Sequence, residues 1–322
     1  MLRRITARLR TLPLVSKRWA RIMRTSVDVW QQACLDMSEI VAHVSDRQRV
    51  RLNLASMAAW FLAHPGRFVE LGLKCTHGDV RMPPMITGLL LSTQAASLRT
   101  LSIDPSAFSL QAPELEVIAA LQGLTALHVR VAGNGLANHG AAVLWAAARL
   151  PALSQLDIVY VGTPGESIAA DQPGLARCQH LSEFHSQSLT QLCLDLAIGA
   201  DSVLRLAAIP NLIVCQLFWQ YSSASLGIDS TTFEGCTRME ELTIFDQRGL
   251  SLQRGCFNAM CALTSLTLRE CGLLAVPADV AQLGSLQSLD ISLNLAWPAN
   301  RRDRGECAAC AREPADTGRG QT

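Results

Sequence analysis

The sequence predicts an α/β fold in which repeated units stack into a solenoid, with parallel strands lining a concave face and a short helical segment in front. Three observations carry that prediction. First, a hexad with apolar residues at places one, four and six begins at Phe68, Leu98, Leu124, Leu153, Leu189, Leu212, Met239, Leu263 and Leu286, so the steps between starts are 30, 26, 29, 36, 23, 27, 24 and 23 residues. Recurrence at near-constant spacing over most of a chain marks a repeat array. Second, the unit from Leu263 continues in phase through Leu266, Leu268, Cys271, Leu273, Val276, Val280 and Leu283, and the pattern restarts at Leu286 with Leu289, Ile291 and Asn294. Third, the 322 residues are 49% hydrophobic and 17% charged with only two Tyr. Many similar aliphatic side chains are what a continuous core of stacked units requires.

Within each unit the physics is that of a strand. Side chains alternate between two faces, so places one, four and six point into the core and places three, five and seven point outward. The second half of the unit returns on the outside as a helix or irregular turn. The outward set includes His128 and Arg130, Asp157, Asp195, Phe218, Phe245 and Arg269. Acidic members such as Asp157, Asp195 and Asp290 are expected to be solvated rather than catalytic. Phe218 and Phe245 are neighbours in the stack and stand beside Arg269, while Trp219 and Tyr221 follow Phe218 directly. Exposed aromatics next to arginine are the material of binding hot spots. A register slip around Cys215 would instead turn Phe218 or Trp219 into the core, and the sequence leaves both readings open.

Three regions follow: residues 1–45 as the helical segment, 46–295 as the repeat array, and 296–322 as a disordered tail. The tail is small, charged and Gly/Pro-containing, too poor in apolar residues to pack. The widest step contains Gly162, Pro164, Gly165, Pro173 and Gly174. These residues punctuate a loop, so 160–180 reads as an insertion, partly helical near its end, serving as a plain surface loop or a partner contact at the rim.

The hexad with Cys271 and Asn294 at its ninth place resembles the leucine-rich repeat family. That resemblance implies a horseshoe, and implies that the ninth side chain hydrogen-bonds neighbouring backbone in the turn. Residues 12–35 resemble the second half of an F-box. There a Leu-x-x-Val, Ser or Cys, Lys or Arg, x-Trp run is followed by a second Trp about ten residues on. Leu12, Val15, Ser16, Lys17, Arg18 and Trp19 match, and Trp30 follows. The match is partial, because the Leu-Pro-x-Glu opening helix of that family has no counterpart in Met1–Arg10. The combined resemblance implies a non-enzymatic, cytoplasmic (or nuclear) substrate-recognition subunit of an SCF-type (Skp–cullin–F-box) ubiquitin ligase. A Skp-type adaptor would meet Leu12, Val15, Trp19, Ile22 and Trp30, and a target protein would sit on the concave face. The alternative is a stand-alone repeat scaffold of cytoskeletal or axonemal assemblies. Two other readings of the N-terminus remain: an amphipathic helix using Leu14, Trp19 and Ile22 to cap the first repeat, or a mitochondrial presequence, since residues 1–24 hold eight Lys/Arg and no acid.

Other functions find little support. The net charge of +1 gives no general attraction to nucleic acid or anionic membrane. No run of 18 apolar residues predicts a membrane span, and no signal peptide is recognisable. Eleven cysteines, odd in number and scattered, favour buried thiols in a reducing compartment over a disulfide framework. Cys178, His180 and His185, and the Cys307/Cys310 pair, fall short of the four ligands that zinc requires, so neither a metal nor a cofactor is expected. Gly133-Asn134-Gly135 lacks the remainder of a dinucleotide loop, and no catalytic serine motif occurs.

Overall fold

Nine strands of one sheet each begin two residues after the start of a hexad. They are β2 (Glu70–Lys74), β3 (Thr100–Ile103), β4 (Ala126–Ala132), β5 (Gln155–Val161), β7 (Gln191–Ala197), β9 (Val214–Phe218), β11 (Glu241–Phe245), β13 (Ser265–Arg269) and β14 (Ser288–Asp290). The computed structural model describes residues 32–36, 59, 62–63, 65–66, 68–74, 84–104, 112–132, 139–161, 176–177, 184–197, 202–203, 205–218, 226–247 and 249–294. The fold is α/β, dominated by an eleven-stranded parallel sheet in which β1 (Gln32–Asp36) opens the order β1-β2-β3-β4-β5-β7-β9-β11-β13-β14, with β6 (Ala176–Arg177) pairing β7 off that path. Pairing runs place for place: Leu101 faces Leu127, Leu156 faces Leu192, and Leu242 faces Leu266.

β1 (Gln32–Asp36) is a strand that the hexad pattern does not reveal. It lies within residues 1–45, expected as a helical segment, and pairs in register with β2, Ala33 against Leu71 and Leu35 against Leu73. Its fourth place is Ala, too small to continue a pattern of large aliphatic residues. β6 is a second strand that the hexads do not reveal, and it falls within 160–180, expected as an insertion partly helical near its end. Ala176 and Arg177 extend alongside Leu196 and Ala197 of β7. The N-terminal motif residues and the expected tail lie outside the described residues, as do 162–175.

The core follows from the alternation. In the first eight hexads, from Phe68 to Leu268, every residue at places one, four and six is 2% exposed or less. In the ninth, Leu289 is 41% exposed, β14 being the last strand of the sheet among the described residues.

The outer halves differ along the chain. In the early units, helices α1 (Pro84–Gln94), α2 (Ala112–Ala119) and α3 (His139–Ala147) return the chain, burying Leu90 and Leu91, Leu115 and Ile118, and Val143 and Leu144. Later units return through turns, a 3-10 helix (Ala278–Gln282) and a second parallel sheet of β8 (Ser202–Val203), β10 (Leu226–Ile228) and β12 (Leu250–Leu252). A helix advances about 1.5 Å per residue and a strand about 3.3 Å. A short unit therefore covers the same return only with extended chain. Phe233 and Phe257 are buried in the core of these later units, their rings stacked 6.5 Å apart.

Two side-chain ladders tie unit to unit. At place two, the hydroxyls of Thr125, Ser154, Thr190 and Thr264 donate to the place-two carbonyl of the preceding strand (Arg99, Thr125, Ser154 and Glu240), at 3.0–3.1 Å. At place nine, Asn294 Nδ2 donates to the carbonyls of Leu268 and Ile291, both at 2.7 Å, while its Oδ1 accepts from the N–H groups of Cys271 at 2.9 Å and Leu273 at 3.1 Å. Cys271 Sγ occupies the same place one unit earlier and reaches the carbonyl of Ile244 at 3.4 Å. Between strand and place nine the chain reverses through left-handed residues at place eight, Asp246 (φ 59°), Glu270 (φ 56°) and Leu293 (φ 60°).

These contacts set the expected stabilities. Leu217→Ala, in the middle of the sheet with no exposure, should cost about 2–5 kcal/mol in denaturant unfolding. Leu289→Ala at the half-open edge should cost less than about 1.5 kcal/mol, because part of that side chain never leaves water. Asn294→Ala leaves two N–H groups and two carbonyls without this partner and should cost about 1–3 kcal/mol, measured the same way.

Candidate functional site

The outward places of the strands build one continuous face. Because pairing is in register, side chains at a given place form a row across the sheet. The fifth-place row runs Ser102, His128, Asp157, Cys193, Gln216, Thr243, Thr267. At the seventh place, Arg130 stands beside Val159, and Asp195, Phe218, Phe245 and Arg269 follow one another on successive strands.

Two groupings stand out. In the first, His128 donates through Nδ1 to Asp157 Oδ2 at 2.6 Å, and Gln155 Nε2 donates to the same oxygen at 3.3 Å. The side chains of the His–Asp pair are 30% and 25% exposed. Both residues occupy the fifth place of consecutive hexads, so their meeting was implicit in the spacing. Cys193 is the next residue of the row, on the other side of Asp157. That order puts a carboxylate between thiol and imidazole, the reverse of a relay in which the imidazole would deprotonate the thiol. Burial, reinforced by the carboxylates of Asp157 and Asp195, pushes the Cys193 thiol up to about 12. It is protonated at neutral pH and has no nucleophilic activation.

The second grouping is aromatic. Phe218 and Phe245 are half-buried and meet edge to face, centroids 6.2 Å apart and planes inclined by 61°. The Arg269 guanidinium lies 5.5 Å from the Phe245 ring centre. Such a contact is worth about 0.5–1 kcal/mol at an exposed site. Cys215 and Leu217 are fully buried, so no slip occurs on β9 and Phe218 belongs to the outer face. Arg130 and Arg269 are exposed, as expected of places on this face.

Asp195 departs from expectation. It was expected to face solvent, yet it is 4% exposed. Phe218 is its neighbour on β9, and β6 docks against the next residue, Leu196. Its place in the sheet is thus between a strand carrying an aromatic residue and a short strand that the hexads do not predict. Trp219, Leu12, Val15, Trp19, Ile22 and Trp30 lie outside the described residues, as do Cys178, His180, Cys307 and Cys310. Among the described residues, no group of three or more His, Cys, Asp and Glu is arranged to hold a metal ion, and no helix is long and apolar enough to cross a membrane. Compared with known proteins, the chain matches no family model and no curated protein.

The buried thiols have two measurable consequences. Burial raises Cys236 to about 11, Cys256 and Cys271 to about 12, and Cys215 well above its usual value. Alkylation of the native protein near pH 8, read by mass spectrometry, should therefore modify the exposed Cys261 well before Cys193, Cys215, Cys236, Cys256 or Cys271. The second consequence concerns stability. Unfolded thiols lose their protons near 9 while the folded ones keep theirs to about 11–12. Above pH 9 the unfolded chain binds fewer protons, so stability should fall as pH rises from 9 towards 12. Cys193→Ala should reduce the steepness of that fall in denaturant titrations.

Proposed function

We propose that the chain is a protein-binding module, a leucine-rich repeat solenoid whose uncovered sheet face holds a target protein. One observation carries this reading. A parallel sheet is normally covered on both faces. Here places one, four and six are sealed in the core, while places three, five and seven leave His128, Asp157, Phe218, Phe245 and Arg269 partly or fully accessible. An accessible aromatic pair on a rigid sheet favours a partner that covers it. The absence of an activated nucleophile along the described row fits binding better than catalysis.

The finer reading rests on sequence resemblance. The F-box-like residues Leu12, Val15, Trp19, Ile22 and Trp30 would hold a Skp-type adaptor, which makes the chain a substrate-recognition subunit of an SCF-type ubiquitin ligase in the cytoplasm. The catalysis would belong to its ligase partners. A pull-down with Skp-type adaptor tests this: binding that is lost on Trp19→Ala supports it. No binding, or binding indifferent to that substitution, returns the chain to the scaffold reading. For the sheet face, Phe218→Ala and Phe245→Ala should each weaken binding of a captured target by about 1–2 kcal/mol, measured by calorimetry. Thermal unfolding should move less than for a core leucine, because both rings keep part of their surface in water. A loss of stability that matches the loss of binding would make them core residues and overturn the reading.

A further inference from the structure

We infer that the free edge of β14 docks a second copy of this chain, the two edge strands pairing antiparallel about a twofold axis at Leu289. This surface is separate from the Phe218–Phe245 seat, and the inference stands apart from the target protein proposed above. Along the array, each place-two carbonyl from Val69 to Thr264 accepts two N–H groups of the next strand. The equivalent carbonyl of Gln287 accepts none among the described residues. The N–H of Ser288 turns back to Thr264 O, and Ser292 O accepts from the Glu270 N–H. Backbone groups of successive strand residues point to alternate sides, so those of Leu289 and the N–H of Ile291 point away from β13. The link that joins every earlier unit to the next is thus left open at this edge.

The open edge is apolar. Of the large apolar side chains exposed among the described residues, Leu274, Val276, Leu289 and Leu293 belong to the last two units, against Leu62 and Trp145 elsewhere. Natural sheets guard such edges with lysine, proline, bulges or brevity. Residues 280–294 contain no Lys and no Pro, and Asp290 is their one charged side chain. Brevity alone remains, since β14 has three residues, and it restricts pairing to few registers.

The residues of the edge select a second copy as the occupant. In an antiparallel pair, residues directly opposite each other can exchange both backbone bonds. A twofold axis at Leu289 makes Leu289 and its counterpart such a pair. It also sets each Gln287 carbonyl against the Ile291 N–H of the other copy. On the outward side Ser288 stands opposite Asp290 in both halves, so each carboxylate meets a hydroxyl and not another carboxylate. Arg269 on β13 already acts on Asp290 and offsets the charge that remains. A net charge of +1 puts little long-range repulsion between copies. A twofold contact uses the same patch on both copies and closes on itself, so association stops at the dimer. The outward rows of the two copies then belong to one sheet, and a single assembly presents two target-binding faces.

The test is sedimentation equilibrium of the full chain over a series of concentrations, with thermal unfolding recorded, for the native protein, Ser288→Asp and Ser288→Lys. The native chain should pass from monomer to dimer as concentration rises. Ser288 is exposed, so both variants should keep the fold of the monomer. Ser288→Asp opposes two carboxylates in each half of the dimer and should raise its dissociation constant about tenfold. Ser288→Lys opposes a cation to Asp290 and should lower it severalfold. Opposite changes from one position separate pairing in this register from a general loss of structure. A chain that stays monomeric at every concentration overturns the inference. In that case protection of the Leu289 amide from hydrogen exchange would assign the edge to residues 295–322 of the same chain. A dimer indifferent to both variants, or assemblies that keep growing with concentration, also overturn it. None of these outcomes bears on the target-binding reading, which is tested at Phe218 and Phe245.

Discussion

The backbone carbonyl at the second place of each unit holds the structure in step. Arg99 O accepts from the N–H groups of both Thr125 and Ala126, Thr125 O from Ser154 and Gln155, and Ser154 O from Thr190 and Gln191, all within 2.7–3.0 Å. The same pattern continues from Thr190 O through Ile213 O and Glu240 O to Thr264 O. Each fork fixes where the next strand enters, and entry fixes register. In a strand, a shift by one residue exchanges the two faces. Burial of the aliphatic core and presentation of the outer rows are thus two results of one alignment. The place-two hydroxyls reinforce it by donating to the same carbonyls.

How much of this was legible in the sequence depends on side-chain size and on chain length. The nine hexads foretold strands starting at Glu70, Thr100, Ala126 and onward, because Leu, Ile and Val at alternating places leave a periodicity that burial then enforces. The outward position of Phe218 was left open and was decided by Cys215 and Leu217, whose complete burial excludes the slipped register. β1 was hidden by Ala33, and β6 by a two-residue strand too short to carry a period. The burial of Asp195 could not be read from alternation, which assigns a face but not what lies across it. The His128–Asp157 pair was latent in the spacing, yet only in-register pairing turns two equivalent places into a 2.6 Å contact.

The two faces of the sheet are asymmetric. On one face, helices in the early units and turns, short strands and a 3-10 helix in the later ones complete a closed core. On the other, the rows end in polar and aromatic side chains with partial access to water. Rigid in-register strands hold Phe218, Phe245 and Arg269 at fixed separations, which lowers the ordering cost of binding at that surface. The F-box-like stretch is a separate proposal, resting on residues ahead of β1, and stands or falls on adaptor binding alone.

The forks and ladders link only nearest neighbours, and this bears on how such a chain can change in length. Arg99 O serves the following unit and no other, and Asn294 reaches back one unit to Leu268. Adding or removing a whole unit, such as the 24 residues from Met239 to Ala262, leaves every remaining link with an equivalent partner. Adding one residue inside a five-residue strand such as β9 does not, since everything beyond it changes face. The architecture is thus tolerant of duplication and deletion in units, and intolerant of drift by single residues.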